Sequence, residues 1–236
     1  MYTKTALTSG RSLLGAALAT MTLAALNACG GGGYSSNSSP MPVQAPMPVQ
    51  DLQWVSAPAQ PWCITPTDPL YDGNFSLTVS CTPGGMMVFK GQMANTSVLT
   101  LAVSATVVST EDTTAYYLTN PYAPLGFSGT TNGVAWTATV TSFTPFPATL
   151  TVGTSGPLLS ANYRDSLGNV IGSLTETYTV TAVSSTALDV NINSAGTLNG
   201  TPVSSTSRFL VTSTGTIYLT EVQITVNATP FDFRGV

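Results

Sequence analysis

Residues 75–81 read FSLTVSC, and the fold turns on their period. Phe75, Leu77, Val79 and Cys81 alternate with Ser76, Thr78 and Ser80. In an extended chain successive side chains point to opposite sides, so this stretch has one dry face and one wet face. The habit recurs along the chain. Leu99, Leu101, Val103, Ala105 and Val107 share a face, as do Val134, Trp136, Ala138 and Val140. Leu188, Val190 and Ile192 alternate with Asp189, Asn191 and Asn193. Phe209 with Val211, and Tyr218 with Val222, Ile224 and Val226, continue it. Clean alternation is the mark of antiparallel sheets, and no segment after residue 50 keeps a helical period.

Turn chemistry separates these runs. It occurs at Asp72-Gly73-Asn74, Pro83-Gly84-Gly85, Thr131-Asn132-Gly133, Ser194-Ala195-Gly196 and Ser213-Thr214-Gly215. Asp165-Ser166-Leu167-Gly168-Asn169 is the strongest signal, a short hairpin loop with a glycine for positive φ. The expected fold is all-β: an antiparallel meander of about 8–11 strands, forming a two-sheet sandwich or a partly closed barrel. LTLAVSATVVST at 99–110 echoes LTETYTVTAVSS at 174–185, which raises a duplicated hairpin and two subdomains dividing near 145–147. A lipid-spanning barrel is set aside, because the second face of these strands is mostly threonine rather than apolar.

Composition removes several chemistries. Histidine is absent, so Ser-His-Asp and Cys-His catalysis are excluded and the commonest zinc ligand is missing. Only 7% of residues are charged, and beyond residue 29 four basic side chains face ten acidic ones, a formal charge of −6. That balance opposes nucleic acid as a partner. Threonine and serine take over the solubilising role.

The N-terminus carries an address. Lys4 and Arg11 precede the apolar run Leu13–Leu26, which is too short for a membrane span of about 20 residues and reads as a signal-peptide core. Leu26-Asn27-Ala28-Cys29 resembles the lipobox of bacterial lipoproteins, with Asn27 in place of the usual small or apolar residue. The resemblance covers residues 1–33 only. It implies removal of 1–28, a diacylglycerol thioether and an amide-linked palmitate on Cys29, and, with Gly30 next, sorting to the outer membrane of a Gram-negative bacterium. Several acyl chains hold a protein far better than one. Residues 29–50 then form the lipidated cysteine and a Gly/Ser- and Pro-rich tether in which MPVQ occurs twice, and residues 51–236 form the β domain. With Cys29 given to lipid, Cys63 and Cys81 are left to make one disulfide.

Candidate sites each have a plain alternative. Tyr116, Tyr117, Tyr122 and Phe127 crowd the proline-stiffened stretch AYYLTNPYAPLGFSG (115–129), where aromatics either present a contact surface or pack the core. Trp54, Trp62 and Trp136 are read as core. Glu176 falls on the dry side of its strand, so it is either a general acid or a residue at the rim or paired with Arg164 or Arg208. Glu221 would be its partner in a glycosidase-like pair. Thr175, Thr177, Thr179 and Thr181 line one face, which simply suits a wet sheet unless neighbouring strands repeat the pattern. Asp68, Asp72 and Asn74 match no calcium loop, so no metal is expected, nor any other cofactor. The expectation is a non-catalytic structural or interaction module of the cell envelope. Its partners would be the membrane, through the lipid, and an envelope protein or glycan; a glycan hydrolase working with carboxylates alone is the alternative.

Overall fold

The alternation in FSLTVSC becomes a wall with two faces. The computed structural model describes residues 47–48 and 68–235, apart from 105–107, 120, 132, 148, 185–186, 213–216 and 227. In chain order its strands are β1 (Met47–Pro48), β2 (Leu70–Asp72), β3 (Phe75–Phe89), β4 (Gln92–Ser104), β5 (Val108–Thr119), β6 (Tyr122–Thr131) and β7 (Val134–Phe143). There follow β8 (Thr149–Leu150), β9 (Ser155–Asp165), β10 (Val170–Ser184), β11 (Ala187–Leu198), β12 (Thr201–Thr212), β13 (Ile217–Val226) and β14 (Thr229–Arg234). Strands β1 and β8 make a ribbon of their own, whereas the other twelve form a closed barrel in simple chain order. Every pairing is antiparallel, and the ring closes where Arg234 of β14 meets Tyr71 of β2.

The all-β antiparallel meander is as expected, while three finer points differ. The strands number twelve around one fully closed barrel, above the expected range, and the other described sheet is the two-stranded β1–β8 ribbon, which makes no sandwich. Residues 145–147 divide nothing, because β7 pairs directly with β9 across the connection that contains them. The echo between 99–110 and 174–185 is not a repeated hairpin: the first stretch runs from β4 into β5, while 174–184 lies inside β10. Two turn signals also failed. Gly84-Gly85 lies within β3 at a register shift between Pro83 and Met86, and Gly196 lies within β11. The turn after β11 is Asn199-Gly200, both at positive φ, the two-residue hairpin geometry.

Apolar side chains from β2 to β14 gather in one interior cluster that includes Leu77, Leu99, Phe127, Trp136, Tyr163, Phe209 and Phe233. The alternate positions face out and are mostly Thr, Ser and Asn, as in the exposed Thr175 and Thr177. This is the reverse of a lipid-spanning barrel, whose outer band is apolar.

Because the strands run alternately up and down, the connections fall at two ends. The β3–β4, β5–β6, β7–β9, β10–β11 and β12–β13 connections fall at the proximal end. The chain arrives at Asp68 and leaves after Arg234 part-way along the wall. This follows because β3 runs on to Phe89 past Leu77, the partner of Leu70, and β13 begins at Ile217, before Glu221, the partner of Arg234. The remaining turns lie at the distal end. The β7–β9 connection folds inward: Phe146 and Leu150 are buried in the core, and Phe146 packs on Tyr178 at 4.9 Å. Its backbone is anchored by Gly153 N–H to the Val180 carbonyl (2.9 Å) and Val180 N–H to the Thr154 carbonyl (2.9 Å). Met47–Pro48, placed by the sequence in the tether, pairs with β8 in this connection.

The β3–β4 hairpin curls over the outside of the barrel. Its turn, Lys90-Gly91, has φ of 48° and 84°, the combination that matches strand twist in a two-residue hairpin. Phe89 stacks on Tyr116 of β5 at 4.4 Å, forming a second small core with Ala94 and Leu125. The ring lies on Gly126 of β6, where a β-carbon would stand 2.4 Å from it, so only glycine admits this contact. Lys90 Nζ reaches across to donate to Thr139 Oγ1 of β7.

Candidate functional site

The aromatic segment does not form an exposed surface. Tyr117 and Phe127 point into the barrel core, at 2% and 1% exposure. Tyr116 faces outward but is roofed by Phe89. Tyr122 is half-buried between Tyr117 (5.9 Å) and Phe143 (5.8 Å). The reason is the pairing: Thr119 lies opposite Tyr122 and Tyr117 opposite Pro124, so the stretch is two strands with a short connection rather than a proline-stiffened loop. Trp136 is core, with Tyr163 edge-on at 5.3 Å. Cys29, Trp54, Trp62 and Cys63 lie outside the described residues, and Cys81 packs half-buried against the core on β3.

Glu176 is inside the barrel. It is 1% exposed and accepts a hydrogen bond from Ser194 Oγ of β11 at 3.0 Å. It is neither at a rim nor paired with arginine: Arg164 donates to the Gly168 carbonyl at 2.6 Å, and Arg208 is engaged on the outer wall. Burial raises the Tyr163 phenol above its ordinary pKa, and the nearby Glu176 carboxylate adds to that. Glu221, the expected partner, is on the outer face, opposite Arg234. The two glutamates stand on opposite sides of the wall, so they do not flank one cleft.

The outer face of β11–β14 holds a network the sequence reading did not assemble. Arg208 Nε donates to Asp189 Oδ2 at 2.6 Å, with a second contact from Nη2, while Nη1 reaches Glu221 at 3.3 Å. Arg234 bridges Glu221 (3.2 Å) and Asp232 (2.7 Å), and the Gln223 amide donates to Glu221 Oε1 at 2.7 Å. These groups border a shallow recess of about 300 Å³ lined by Asn191, Thr206, Arg208, Glu221, Gln223 and Arg234. Asp189 is almost wholly covered by Arg208, and both arginines are held above their ordinary pKa, first of all by hydrogen bonds to carboxylates. The one available signal was charge placement: in a chain so poor in charge, Asp189, Arg208, Glu221 and Arg234 lie on four successive strands.

The remaining candidates are structural. Asp72 accepts from the backbone N–H of Asp232 at 3.2 Å, and no described group of acids or cysteines could hold a metal ion. The threonine row of β10 faces Ala195, Asn193, Asn191 and Asp189 on β11, so the ladder is not repeated there. The 165–169 loop is as expected: Asp165 Oδ1 accepts from the backbone N–H groups of Leu167 (2.9 Å) and Asn169 (2.8 Å). The Asn169 amide, foremost, and these backbone groups hold its carboxyl below the usual value.

Glu111 is the unexpected carboxyl. It stands on β5 opposite the inward-facing Leu101, near the distal end, half-buried. Burial pushes its pKa from 4.5 up to about 7, opposed by the hydrogen bond from Thr131 and aided by Asp112. Thr131 Oγ1 donates to Glu111 at 3.4 Å and accepts from Trp136 Nε1 at 3.0 Å. Asp112, its chain neighbour, faces out and accepts from Thr100 at 2.5 Å. No protein-family model matches the chain, and neither a curated protein nor a solved structure matches it.

Glu111 makes the fold sensitive to pH. Between about pH 4.5 and 7 the folded chain keeps a proton that the unfolded chain has lost. This contribution is complete below 4.5 and declines as pH rises through 7. Urea midpoints measured across pH 4–8 should fall through that window in the native chain, and Glu111→Gln should flatten this part of the decline.

Proposed function

We propose that the chain is a lipid-anchored lipoprotein of the Gram-negative outer membrane, whose barrel is a non-catalytic interaction module for an envelope glycan or protein. The observation that carries the binding half is the recess on β11–β14. It displays two arginines, a glutamate, a glutamine, an asparagine and a threonine, several held in fixed mutual orientation. Planar amides, guanidinium groups and carboxylates so arranged suit the paired hydroxyls of a glycan. Because Glu221 is already bridged by both arginines, it is suited to hold rather than to shuttle a proton. Separation of Glu176 from Glu221 across the wall likewise favours binding over hydrolysis. The anchor rests on the Leu26–Cys29 motif, and a Cys63–Cys81 bridge belongs to the same exported state.

Three measurements test this reading. A palmitate analogue should label the protein, and Cys29→Ser should abolish the label; a chain that never takes it up refutes the anchor. Mass spectrometry of non-reduced peptides from freshly isolated protein should show Cys63 joined to Cys81, and two free thiols there would disprove the bridge. Retention on immobilised envelope polysaccharide should fall about tenfold or more in Asn191→Ala/Gln223→Ala, which spares the ion pairs, with little change in unfolding midpoint. Undiminished retention by the folded double variant would remove the recess from consideration.

A further inference from the structure

The outer wall carries a continuous cross-strand row. Tyr71 of β2 lies opposite Arg234 of β14, Arg234 opposite Glu221 of β13, Glu221 opposite Arg208 of β12, and Arg208 opposite Asn191 of β11. Each of the five adjoins a buried residue of its own strand, in turn Leu70, Phe233, Val222, Phe209 and Ile192, so all five face outward. Four inter-strand steps of about 4.8 Å take the row across roughly 19 Å of wall. The recess occupies only the part from Arg234 to Asn191, and Tyr71 extends it by one strand at the closure of the barrel.

Tyr71 is 44% exposed on a wall made mostly of threonine and serine. Side chains directly opposite one another in an antiparallel pair stand about 5 Å apart, so its ring and the Arg234 guanidinium are neighbours. A sugar ring has an apolar C–H face and a rim of hydroxyls. An exposed tyrosine takes the first at small entropic cost, and the amides and guanidinium groups of the recess serve the second. Charge narrows the class of glycan. Arg208 and Arg234 stand against Asp189, Glu221 and Asp232, which leaves one negative charge in excess. The guanidinium charges are thus matched within the network, in a chain that is acidic as a whole. An acidic polymer meets repulsion there and a neutral one does not. The row also follows the curve of a closed barrel, so it fits one chain rather than the flat face of a fibre.

We propose that this row is a track for a single neutral polysaccharide chain lying across β2, β14, β13, β12 and β11, with Tyr71 stacking on one sugar ring and the recess holding the hydroxyls of those that follow. The proposal rests on the reading of the recess as a glycan site and deepens it, giving the ligand a charge class, a length and a direction.

The test measures retention of the full-length protein on neutral and acidic envelope polysaccharide, separated by anion exchange, and its affinity for size-graded oligosaccharides cut from the neutral fraction. The neutral fraction should retain the protein equally at about 50 and about 500 mM salt. Affinity should rise about tenfold or more from disaccharide to hexasaccharide. Tyr71→Ala should weaken binding about 5-fold or more, and Tyr71→Phe, which keeps the ring, should bind as the native chain does, with unfolding midpoints showing both variants folded. Tyr218→Ala is the control for direction. Tyr218 is 43% exposed on the same outer face but lies three residues before Glu221 along β13, about 10 Å off the row, and its loss should change nothing. The length and salt measurements use the native chain, so they decide even where Tyr71→Ala does not fold. Salt-sensitive retention on the acidic fraction alone, lost in Asn191→Ala/Gln223→Ala, keeps the recess and overturns the neutral track. Equal affinity for disaccharide and hexasaccharide confines binding to the recess and overturns the track. A loss in Tyr218→Ala without one in folded Tyr71→Ala turns the path along β13 and overturns it as well. Retention by neither fraction refutes the recess as a glycan site, and the track with it.

Discussion

A sheet edge is a row of unpaired amides and carbonyls, and twelve strands in chain order have two such edges unless the last meets the first. The contact of β14 with β2 removes both. It is a short junction, one ladder pair between Arg234 and Tyr71, yet it converts an open meander into a barrel with an inside and an outside. Every later property depends on that distinction, because it decides which half of each alternating strand is dry.

Closure at twelve strands sets a second problem. Side chains comfortably fill a barrel of about eight strands, and a wider ring leaves more interior to occupy. This chain fills it with large groups: Phe127, Tyr163, Phe209 and Phe233 are among its most deeply buried side chains. The β7–β9 connection contributes Phe146 and Leu150 to the proximal end. Few polar groups enter the interior, and two of them, the Ser97 and Ser205 hydroxyls, are buried without a hydrogen-bond partner among the described residues. Glu176 accepts from Ser194 in the middle of the wall, and Glu111 takes Thr131 near the distal end, where partial burial holds its proton near neutrality.

On the outside, the wall is largely threonine and serine, so the departures from it stand out. One is the charge network of β11–β14, where neighbouring strands bring Asp189, Arg208, Glu221 and Arg234 within bonding distance. The other is the β3–β4 hairpin, whose inward-facing register continues past the rim and so leaves Met86, Val88 and Met93 without a core to enter.

The sequence by itself determined the strand character of the chain, because a period of two is a local property: Phe75, Leu77 and Val79 face one way whatever they pair with. It likewise marked the 165–169 turn, whose Asp and Gly act within the loop. It placed Glu176 on a dry face, as found, but not what lay beside it, since Ser194 arrives from the next strand. Closure and strand number depend on which edges meet, and no local residue pattern records that. Gly84 and Gly196 read as turns because glycine serves turns and close backbone contacts alike, and only the pairing distinguishes them. Tyr117 and Phe127 looked like loop aromatics until the β5–β6 register turned them inward. The recess and the exposed hairpin joined residues far apart in sequence, or left them beyond the rim, and only the tertiary structure decides which apolar face has a core to enter.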